Sequence, residues 1–236
     1  MKGQSRMVSG PRLGRESEHR LPAVVAVLVG AVLYAALPSN LTFGTRFVVP
    51  VLELLLLVPL VAVNPRRFTR ETKVSRAMSL GLVALIGAAN LLSLILLVRA
   101  LLSGDADDSK KLLLAALQVW VTNIIVFGMA YWELDRGGPV KRTQRPRGEL
   151  PAADFRFSQD ENGDSVAEVA VSSSEKADWV PTLVDYLYVS VTNSTAFSPT
   201  DTMPLSTRVK LLMSVQCMSA LVISVLVIAK AVSGLQ

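Results

Sequence analysis

Residues 179–204 read WVPTLVDYLYVSVTNSTAFSPTDTMP, and an apolar run from Val209 to Val232 follows almost at once. The first half of this stretch indicates a short, half-polar helix, and the second half is a turn rich in serine, threonine and proline. Val180–Ser198 is long enough to span a membrane but too polar to face lipid alone. Non-helical backbone is tolerated at membrane depth only where protein or a water-filled cavity covers it. The stretch therefore predicts a re-entrant helix, whose positive N-terminal end Asp185 would cap or neutralise.

The rest of the chain is dominated by apolar runs. Hydrophobic residues make up 51% of the 236 residues, and the mean hydropathy is +0.44. A run of about 18 or more residues with few charges predicts a transmembrane helix. Five runs approach or meet this criterion: Leu21–Leu37, Phe47–Val63, Met78–Leu102, Leu112–Trp132 and Val209–Val232. The predicted fold is an all-α polytopic membrane bundle with five transmembrane helices plus one re-entrant or pore-type helix.

Basic residues are distributed unevenly around these runs. Five precede the first run, five follow the second, five follow the fourth and two open the fifth, whereas the opposite side holds five. Positive residues stay cytoplasmic, so the N-terminus is predicted inside and the C-terminus outside, in the inner (plasma) membrane. Basic residues that flank spans are topology signals and contacts for anionic lipid. The net charge of +5 therefore indicates the lipid bilayer as the partner, not nucleic acid.

Composition along the chain divides it into four parts. Residues 1–20 are predicted to be a disordered basic cytoplasmic tail, and residues 21–133 a four-helix membrane region. The first run is read as a retained anchor, because it exceeds the signal-peptide core of about 7–15 residues. Residues 134–178 are predicted to be an acidic cytoplasmic loop with a short hairpin around Asp160–Asp164. Residues 179–236 contain the pore-like helix, its turn and the final span.

Enzyme chemistry is not predicted. The chain has one cysteine, Cys217, and one histidine, His19, which is expected to be a solvated residue of the tail. A single thiol cannot form an intramolecular disulfide, and no Cys/His cluster exists to bind a metal. We find no nucleophile–base pair and no phosphate loop, so no catalytic residue, cofactor or metal is predicted.

Several polar residues lie inside the predicted spans. Glu53 lies between two prolines of the second span, and an ionisable side chain at that depth is either a functional site or one member of a structural pair. The sequence leaves both interpretations open. The others are expected to be interhelical hydrogen-bonding residues, worth on the order of 0.6 kcal/mol each. They are Asn90, Gln118, Asn123 and Gln216.

The turn before the last span resembles the potassium-channel signature. Residues 195–204, TAFSPTDTMP, align with Thr-Thr-Val-Gly-Tyr-Gly-Asp-x-x-Pro, in which Thr195, Asp201 and Pro204 hold their places. Ser198 and Thr200 replace the two filter glycines, whose freedom lets carbonyl groups turn inward to replace the hydration shell of potassium. The predicted loop also enters from the cytoplasm, whereas potassium channels insert theirs from outside. A potassium filter is therefore not predicted, and the direction of entry resembles that of glutamate-receptor pore loops.

A second resemblance covers roughly the second half of the chain. It rests on FGMAYWELDRGGP at 127–139, DFRF at 154–157, residues 185–204 and TRVKLL at 207–212. These stretches resemble uncharacterised actinobacterial multi-pass membrane proteins, similar to the bacterial family catalogued as domain of unknown function 1345. The resemblance implies a bacterial membrane protein with a channel-like C-terminal segment, and it implies no mechanism.

Two functions compete on these grounds. In the first, the chain forms an ion-conducting pore as a homo-oligomer, with a constriction of hydroxyl, carbonyl and carboxylate groups that favours monovalent cations. The pore-lining candidates are Thr195, Ser198, Thr200 and Asp201. The same residue types also favour an ordinary turn, in which Asp201 would cap or end the turn before the last helix. The second function is a non-conducting membrane scaffold or sensor that binds a partner through its cytoplasmic loop.

Overall fold

The computed structural model describes residues 16–42, 44–103, 109–161, 166–195 and 201–233. Within these ranges the chain is mostly helical, which confirms the all-α class, and two short strands pair with each other. Two of the pore-lining candidates, Ser198 and Thr200, lie outside the described residues.

Five long helices, several shorter ones and a pair of strands make up the described part of the chain. The helices are α1 (Leu21–Ala35), α2 (Val48–Val63), α3 (Lys73–Ser103), α4 (Ser109–Leu134), α5 (Pro139–Gln144), α6 (Ala167–Ala170), α7 (Ser174–Ala177), α8 (Leu183–Thr195) and α9 (Thr207–Ser233). The strands are β1 (Phe155–Arg156) and β2 (Met203–Pro204), which pair antiparallel. Short 3-10 turns lie at Ser39–Leu41, Asp135–Gly137, Arg147–Glu149 and Ser158–Asp160.

The long helices pack around α4. α2 packs against α1 and α3, and α4 also packs against α1 and α3, so that α1–α4 form a four-helix bundle. α8 and α9 pack against α4 and against each other. Burial agrees with this arrangement, since 61% of the apolar window of α4 is buried, compared with 17% for α9. We call the end of the bundle at which α1, α3, α8 and α9 begin the cap end, and the opposite end the far end.

Among the described residues, three helices are long and apolar enough to cross a membrane: Lys73–Leu102, Lys110–Gly137 and Thr207–Lys230. By this measure of length, two of the five predicted spans, α1 and α2, fall short of the criterion. α1 has 15 residues and α2 has 16, whereas a span needs about 17 or more. Leu37 precedes Pro38, and a residue before proline is disfavoured in a helix. The first apolar run therefore leaves helical geometry before its last residue.

Residues 135–182, which we call the cap, fold against the cap end. The turn of the hairpin predicted around Asp160–Asp164 lies partly outside the described residues. Its described flanks do not pair with each other, because β1 pairs with β2 and Ala167–Ala170 is a helical turn. The reason is the carboxylate of Asp160, which accepts hydrogen bonds from the Phe157 N–H and the Ser174 hydroxyl. That carboxylate closes a 3-10 turn where a hairpin was expected.

The described part of the predicted disordered tail is also ordered. Glu18 and Arg20 are packed against the bundle, and the backbone N–H of Arg20 donates to the carbonyl of Arg66 (3.0 Å). His19, predicted to be solvated, is exposed but forms a β-bridge with Arg67. The tail prediction for residues 1–15 falls outside the described residues.

Candidate functional site

The N-terminus of α8 is capped as the sequence predicts. The carboxylate of Asp185 accepts hydrogen bonds from the backbone N–H (2.7 Å) and the hydroxyl (2.8 Å) of Thr182. The N–H of Leu183 donates to the Glu18 carboxylate (2.7 Å). Two carboxylates therefore neutralise the positive end of the helix, where free N–H groups need acceptors.

Gln216 joins α8 to the two helices beside it. Its amide oxygen accepts hydrogen bonds from the Tyr131 hydroxyl (2.6 Å) on α4 and the Asn193 amide (2.9 Å) on α8. Its amide nitrogen lies 2.6 Å from the Ser190 hydroxyl oxygen and 2.8 Å from that of Ser194. Gln216 is completely buried, so this network satisfies polar groups that would otherwise be costly in an apolar interior.

The described residues on either side of α8, up to 182 and from 201, lie at the cap end. Before the helix, the contact between Leu183 and Glu18 ties the chain to the first residues of the bundle. After the helix, Met203–Pro204 pairs with Phe155–Arg156 of the cap, and Arg208 Nε donates to the Asp154 carboxylate (2.8 Å). The 13 residues of α8 rise about 20 Å into the bundle at 1.5 Å per residue. The chain therefore enters the bundle along α8 and is again at the cap end when α9 begins.

The two described pore-lining candidates lie at different depths. Thr195 is exposed and is the last residue of α8, at the end away from the cap. Its hydroxyl donates to the Val191 carbonyl (2.9 Å). Asp201 is exposed and lies two residues before β2, near the cap. The structure does not bring Thr195 and Asp201 together, and the residues that connect them lie outside the described ranges.

The other predicted polar residues are divided between the core and its edge. Glu53 (1% exposed), Asn90 and Asn123 are buried. The Asn123 amide donates to the Ser219 hydroxyl (3.1 Å) and so joins α4 to α9. Gln118 is half-buried and lines a cavity at the far end.

At the cap end, the buried side chain of Arg142 binds the C-terminal end of α4. The Arg142 guanidinium donates to the carbonyls of Trp132 and Asp135, both at 3.0 Å. It lies 5.0 Å from the Tyr186 ring and 3.7 Å from the Glu18 carboxylate. A cation is favoured there, because helix-terminal carbonyls carry partial negative charge.

Asp135 connects α8 to β1. Its carboxylate accepts hydrogen bonds from the Tyr186 hydroxyl and from the Asp154 N–H (2.6 Å). It also forms an ion pair with Arg136 (3.6 Å), which in turn contacts Asp160 (2.5 Å). These contacts fasten the cap to the bundle.

A second charged group closes the cap end between α3 and α4. The Glu133 carboxylate is buried and accepts hydrogen bonds from Arg76 and from the Ser79 hydroxyl. Burial also affects Glu18: desolvation raises its pKa above 4.5, and the opposing attraction of Arg142 is the smaller effect.

The sequence reasoning missed this group of buried charges as a functional element. In the sequence, Glu18 belongs to the predicted tail, Glu133 ends the predicted membrane region, and Asp135 and Arg142 belong to the predicted cytoplasmic loop. One signal was available, since Tyr131 and Trp132 are followed at once by two acidic residues and an arginine. Aromatic rings beside charges at the end of an apolar run favour a partly buried polar network.

Metal binding finds no support in the described ranges, where no group of three or more His, Cys, Asp or Glu side chains could hold an ion. Cys217 is an exposed free thiol on α9. Comparison of the chain with protein-family models, with curated proteins and with solved structures gave no match.

Proposed function

We propose that this chain is a multi-pass bacterial inner-membrane protein with five spanning helices and a re-entrant helix, α8, whose turn lines a cation-conducting pore in a homo-oligomer. The observation that carries the proposal is the return of the chain to the cap end after α8. In a pore loop, a short helix enters the membrane, a polar turn follows it, and the chain then leaves on the side from which it entered. The similarity to the domain of unknown function 1345 family stays a prediction.

Helix packing supports spanning roles for α1 and α2 despite their length. Both lie in the bundle beside α3 and α4. Fifteen to sixteen residues rise about 22–24 Å, and a bilayer thins around short spans at a modest cost per ångström. Each helix also exposes large apolar side chains, among them Val25 and Val32 on α1 and Leu55 and Val58 on α2. Exposed aliphatic faces of this kind suit contact with lipid.

The basic residues support a cytoplasmic cap end. Arg20, Arg66, Arg76, Arg142 and Arg208 all belong to that end of the bundle. Because positive residues are retained in the cytoplasm, the cap and the N-terminus belong on the inner side. α8 then enters from the cytoplasm, as the sequence predicts.

The proposed pore lining is Thr195, Ser198, Thr200 and Asp201. Of the two described members, Thr195 lies deeper in the bundle, and Asp201 lies nearer the cap end. The carboxylate of Asp201 is exposed, and a ring of such carboxylates from several copies would concentrate cations at the inner mouth.

The exposed face of α9 supports assembly into a homo-oligomer. Most of its apolar window is unburied, and Leu211, Val215, Met218 and Val225 are each more than half exposed. A single chain offers one pore loop, and a shared axis requires several copies. Contact between copies through α8 and α9 would bring the loops together.

The alternative is a non-conducting scaffold or sensor, and one observation favours it. The Gln216 network and the buried charges fix α8 on α4 and α9, so that Gln216, Ser190 and Asn193 find hydrogen-bond partners within one chain. In this case the exposed surface of the cap would bind the partner, and the turn after α8 would be structural.

Ion flux in liposomes that hold the purified full-length protein tests the proposal. We would compare the wild type, Asp201→Ala, Asp201→Asn and the control Glu149→Ala across potassium, sodium, protons and chloride. Glu149 is an exposed carboxylate of the cap outside α8 and its turn. We expect cation flux that falls or changes selectivity in both Asp201 variants and is unchanged in the control. Absence of flux from folded wild-type protein would reject the pore and favour the scaffold.

A further inference from the structure

A polar layer separates the two apolar clusters of the core. One cluster lies towards the cap end and contains Leu57 and Ile86, and the other lies towards the far end and contains Val49 and Leu94. Glu53 lies one turn from both Val49 and Leu57. Asn90 lies one turn from both Ile86 and Leu94. The polar side chains therefore occupy the boundary between the clusters.

Glu53 and Asn90 lie at the same depth, as measured by the number of residues that separates each from the cap end. Arg20, Asn64, Ser79 and Glu133 line one small cavity there. Glu53 is eleven residues from Asn64 along α2, and Asn90 is eleven residues from Ser79 along α3. At 1.5 Å per residue, both lie about 16 Å above that cavity, which is close to half of the roughly 30 Å hydrocarbon thickness.

At the same depth, α4 carries a polar residue and α1 carries a glycine with free space beside it. On α4, Thr122 is eleven residues from Glu133 and is buried. On α1, Gly30 is ten residues from Arg20, which is about 15 Å. Gly30 is buried, yet a Cβ added to it would meet no atom within 4 Å. The middle of the bundle is therefore not fully packed with apolar side chains.

Glu53 lacks a partner for its charge within the described part of the chain. Its Oε2 atom is buried and accepts no hydrogen bond there, and it belongs to no ion pair. α1 and α3 are the helices packed against α2. On α1 the one titratable side chain is Tyr34. On α3 no titratable side chain lies between Arg76, near the cap end, and Arg99, nine residues beyond Asn90.

Two further oxygens near this depth are also without hydrogen bonds. Within the described residues, Ser93 Oγ and Asn123 Oδ1 are buried and unpartnered. Buried oxygens nearly always have a partner in the protein or an ordered water. Unpartnered buried oxygens of this kind suit binding of water molecules, which carry protons. An unpaired carboxylate at mid-membrane is expensive, which favours the neutral, protonated form of Glu53.

The layer lies nearer to the cavity at the far end than to the cavity at the cap end. A cavity of about 850 Å³ opens at the far end and is lined by Phe47 and Gln118, among others. Phe47 is six residues from Glu53 and Gln118 is four residues from Thr122, which corresponds to about 9 Å and 6 Å. Towards the cap end, the cavity beside Glu133 holds only about 30 Å³, and the contacts of Arg76 and Ser79 to Glu133 close the route.

We propose that Glu53 is a proton-binding site at the middle of the α1–α4 bundle, and that it exchanges its proton with water in the far-end cavity. In the exchange, the O–H bond of the Glu53 carboxyl breaks, a water molecule takes the proton as hydronium, and the carboxylate keeps the electron pair. The reverse step reloads the site. This inference concerns the four-helix bundle and does not depend on a pore at α8.

Infrared difference spectroscopy between acid and alkaline pH tests the proposal on the full-length protein in liposomes. The wild type is expected to show the carbonyl band of a protonated carboxylic acid that disappears at alkaline pH. Because other carboxyl groups, among them the buried Glu18, also give such bands, Glu53→Gln is expected to lose only the component that belongs to Glu53, seen by subtracting the spectrum of the variant from that of the wild type. Glu53→Asp is expected to keep it at a shifted frequency, and the exposed-site control Glu149→Gln to keep it unchanged. Thermal unfolding of each variant confirms that it is folded.

Two further conditions define failure. Changing the pH only on the far-end side of oriented vesicles should titrate the band, and a response only to the cap-end side would overturn the proposed route. Titration spectra that are identical in the wild type and in Glu53→Gln would overturn the site itself. A titration midpoint that moves with sodium concentration would show that the site takes a metal cation and not only a proton.

Discussion

Arg142 makes contacts that no other residue type could make together. Its guanidinium donates to two carbonyls at the end of α4 and faces both the Tyr186 ring and the Glu18 carboxylate. The planar fork of arginine matches several acceptors at once, whereas the ammonium group of lysine is a single point charge. Because Arg142 is completely buried, its removal leaves polar partners without solvent to replace it.

We therefore predict that Arg142→Ala destabilises the protein by about 3–5 kcal/mol, the usual cost of removing one member of a buried charge pair. Arg142→Lys should lose a smaller part of this stability, because it keeps the charge but not the fork. Arg66→Ala, at an exposed arginine of the same end, should stay within about 0.5 kcal/mol of the wild type. Unfolding in detergent, followed by circular dichroism, measures all three. Equal effects for Arg142→Ala and Arg66→Ala would contradict the structural role of Arg142.

Glu18 gives the stability a dependence on pH. Its pKa is raised in the folded state by burial, so the folded protein holds this proton at pH values where the unfolded chain has released it. The Glu18 contribution to stability is therefore complete below about pH 4.5 and is lost as pH rises through the folded pKa. We predict that Glu18→Gln flattens the fall in unfolding temperature over that range, whereas Glu149→Gln does not. A parallel fall in wild type and Glu18→Gln would exclude this contribution.

These buried charges also mark the limit of what the sequence could predict at single residues. The Asp185 cap was predictable, because its partner Thr182 is three residues away. Glu18 is 165 residues from Leu183, and Asp135 is 51 residues from Tyr186. Nothing local in the sequence distinguishes these residues from solvated tail and loop charges, since only the folded chain brings the pairs together.

At the scale of elements, the apolar runs locate the long helices well. The run Met78–Leu102 lies within α3, Leu112–Trp132 within α4 and Val209–Val232 within α9, because about 18 or more apolar residues leave the helix as the only favourable structure in lipid. The cap lacks such a signal. Its strand β1 pairs with β2, more than 40 residues later, and the Asp160 turn replaced the expected hairpin.

The contact between α4 and α8 depends on Gly128. A Cβ added to Gly128 would lie 2.7 Å from Leu187 Cδ2 and 3.2 Å from Leu187 Cα. We predict that Gly128→Ala destabilises the protein by about 1–3 kcal/mol through overpacking and increases hydrogen exchange in α8. Gly81→Ala is the matched control, because its Cβ would meet nothing within 4 Å. It should gain up to about 1 kcal/mol of helix propensity. Similar changes in both variants would show that α8 does not pack closely on α4.

At the scale of the whole molecule, two halves divide the proposed roles. The α1–α4 bundle holds Glu53 in its middle, whereas α8 and α9 carry the two described pore-lining candidates at their boundaries and an exposed apolar face. α4 belongs to both halves, since it packs against α1, α3, α8 and α9. In a pore loop, the residues before and after α8 lie on the same side of the membrane. If α8 is a sixth span, they lie on opposite sides.

Single-cysteine labelling with a membrane-impermeant thiol reagent tests this most directly. In a Cys217→Ser background, Ser172→Cys lies before α8, Leu205→Cys lies after it, and Ser39→Cys lies at the far end; all three positions are exposed. We predict that the reagent labels Ser172→Cys and Leu205→Cys only from the cytoplasmic side, and Ser39→Cys only from outside. Labelling of Ser172→Cys and Leu205→Cys from opposite sides would show that α8 spans the membrane and would contradict the re-entrant pore loop.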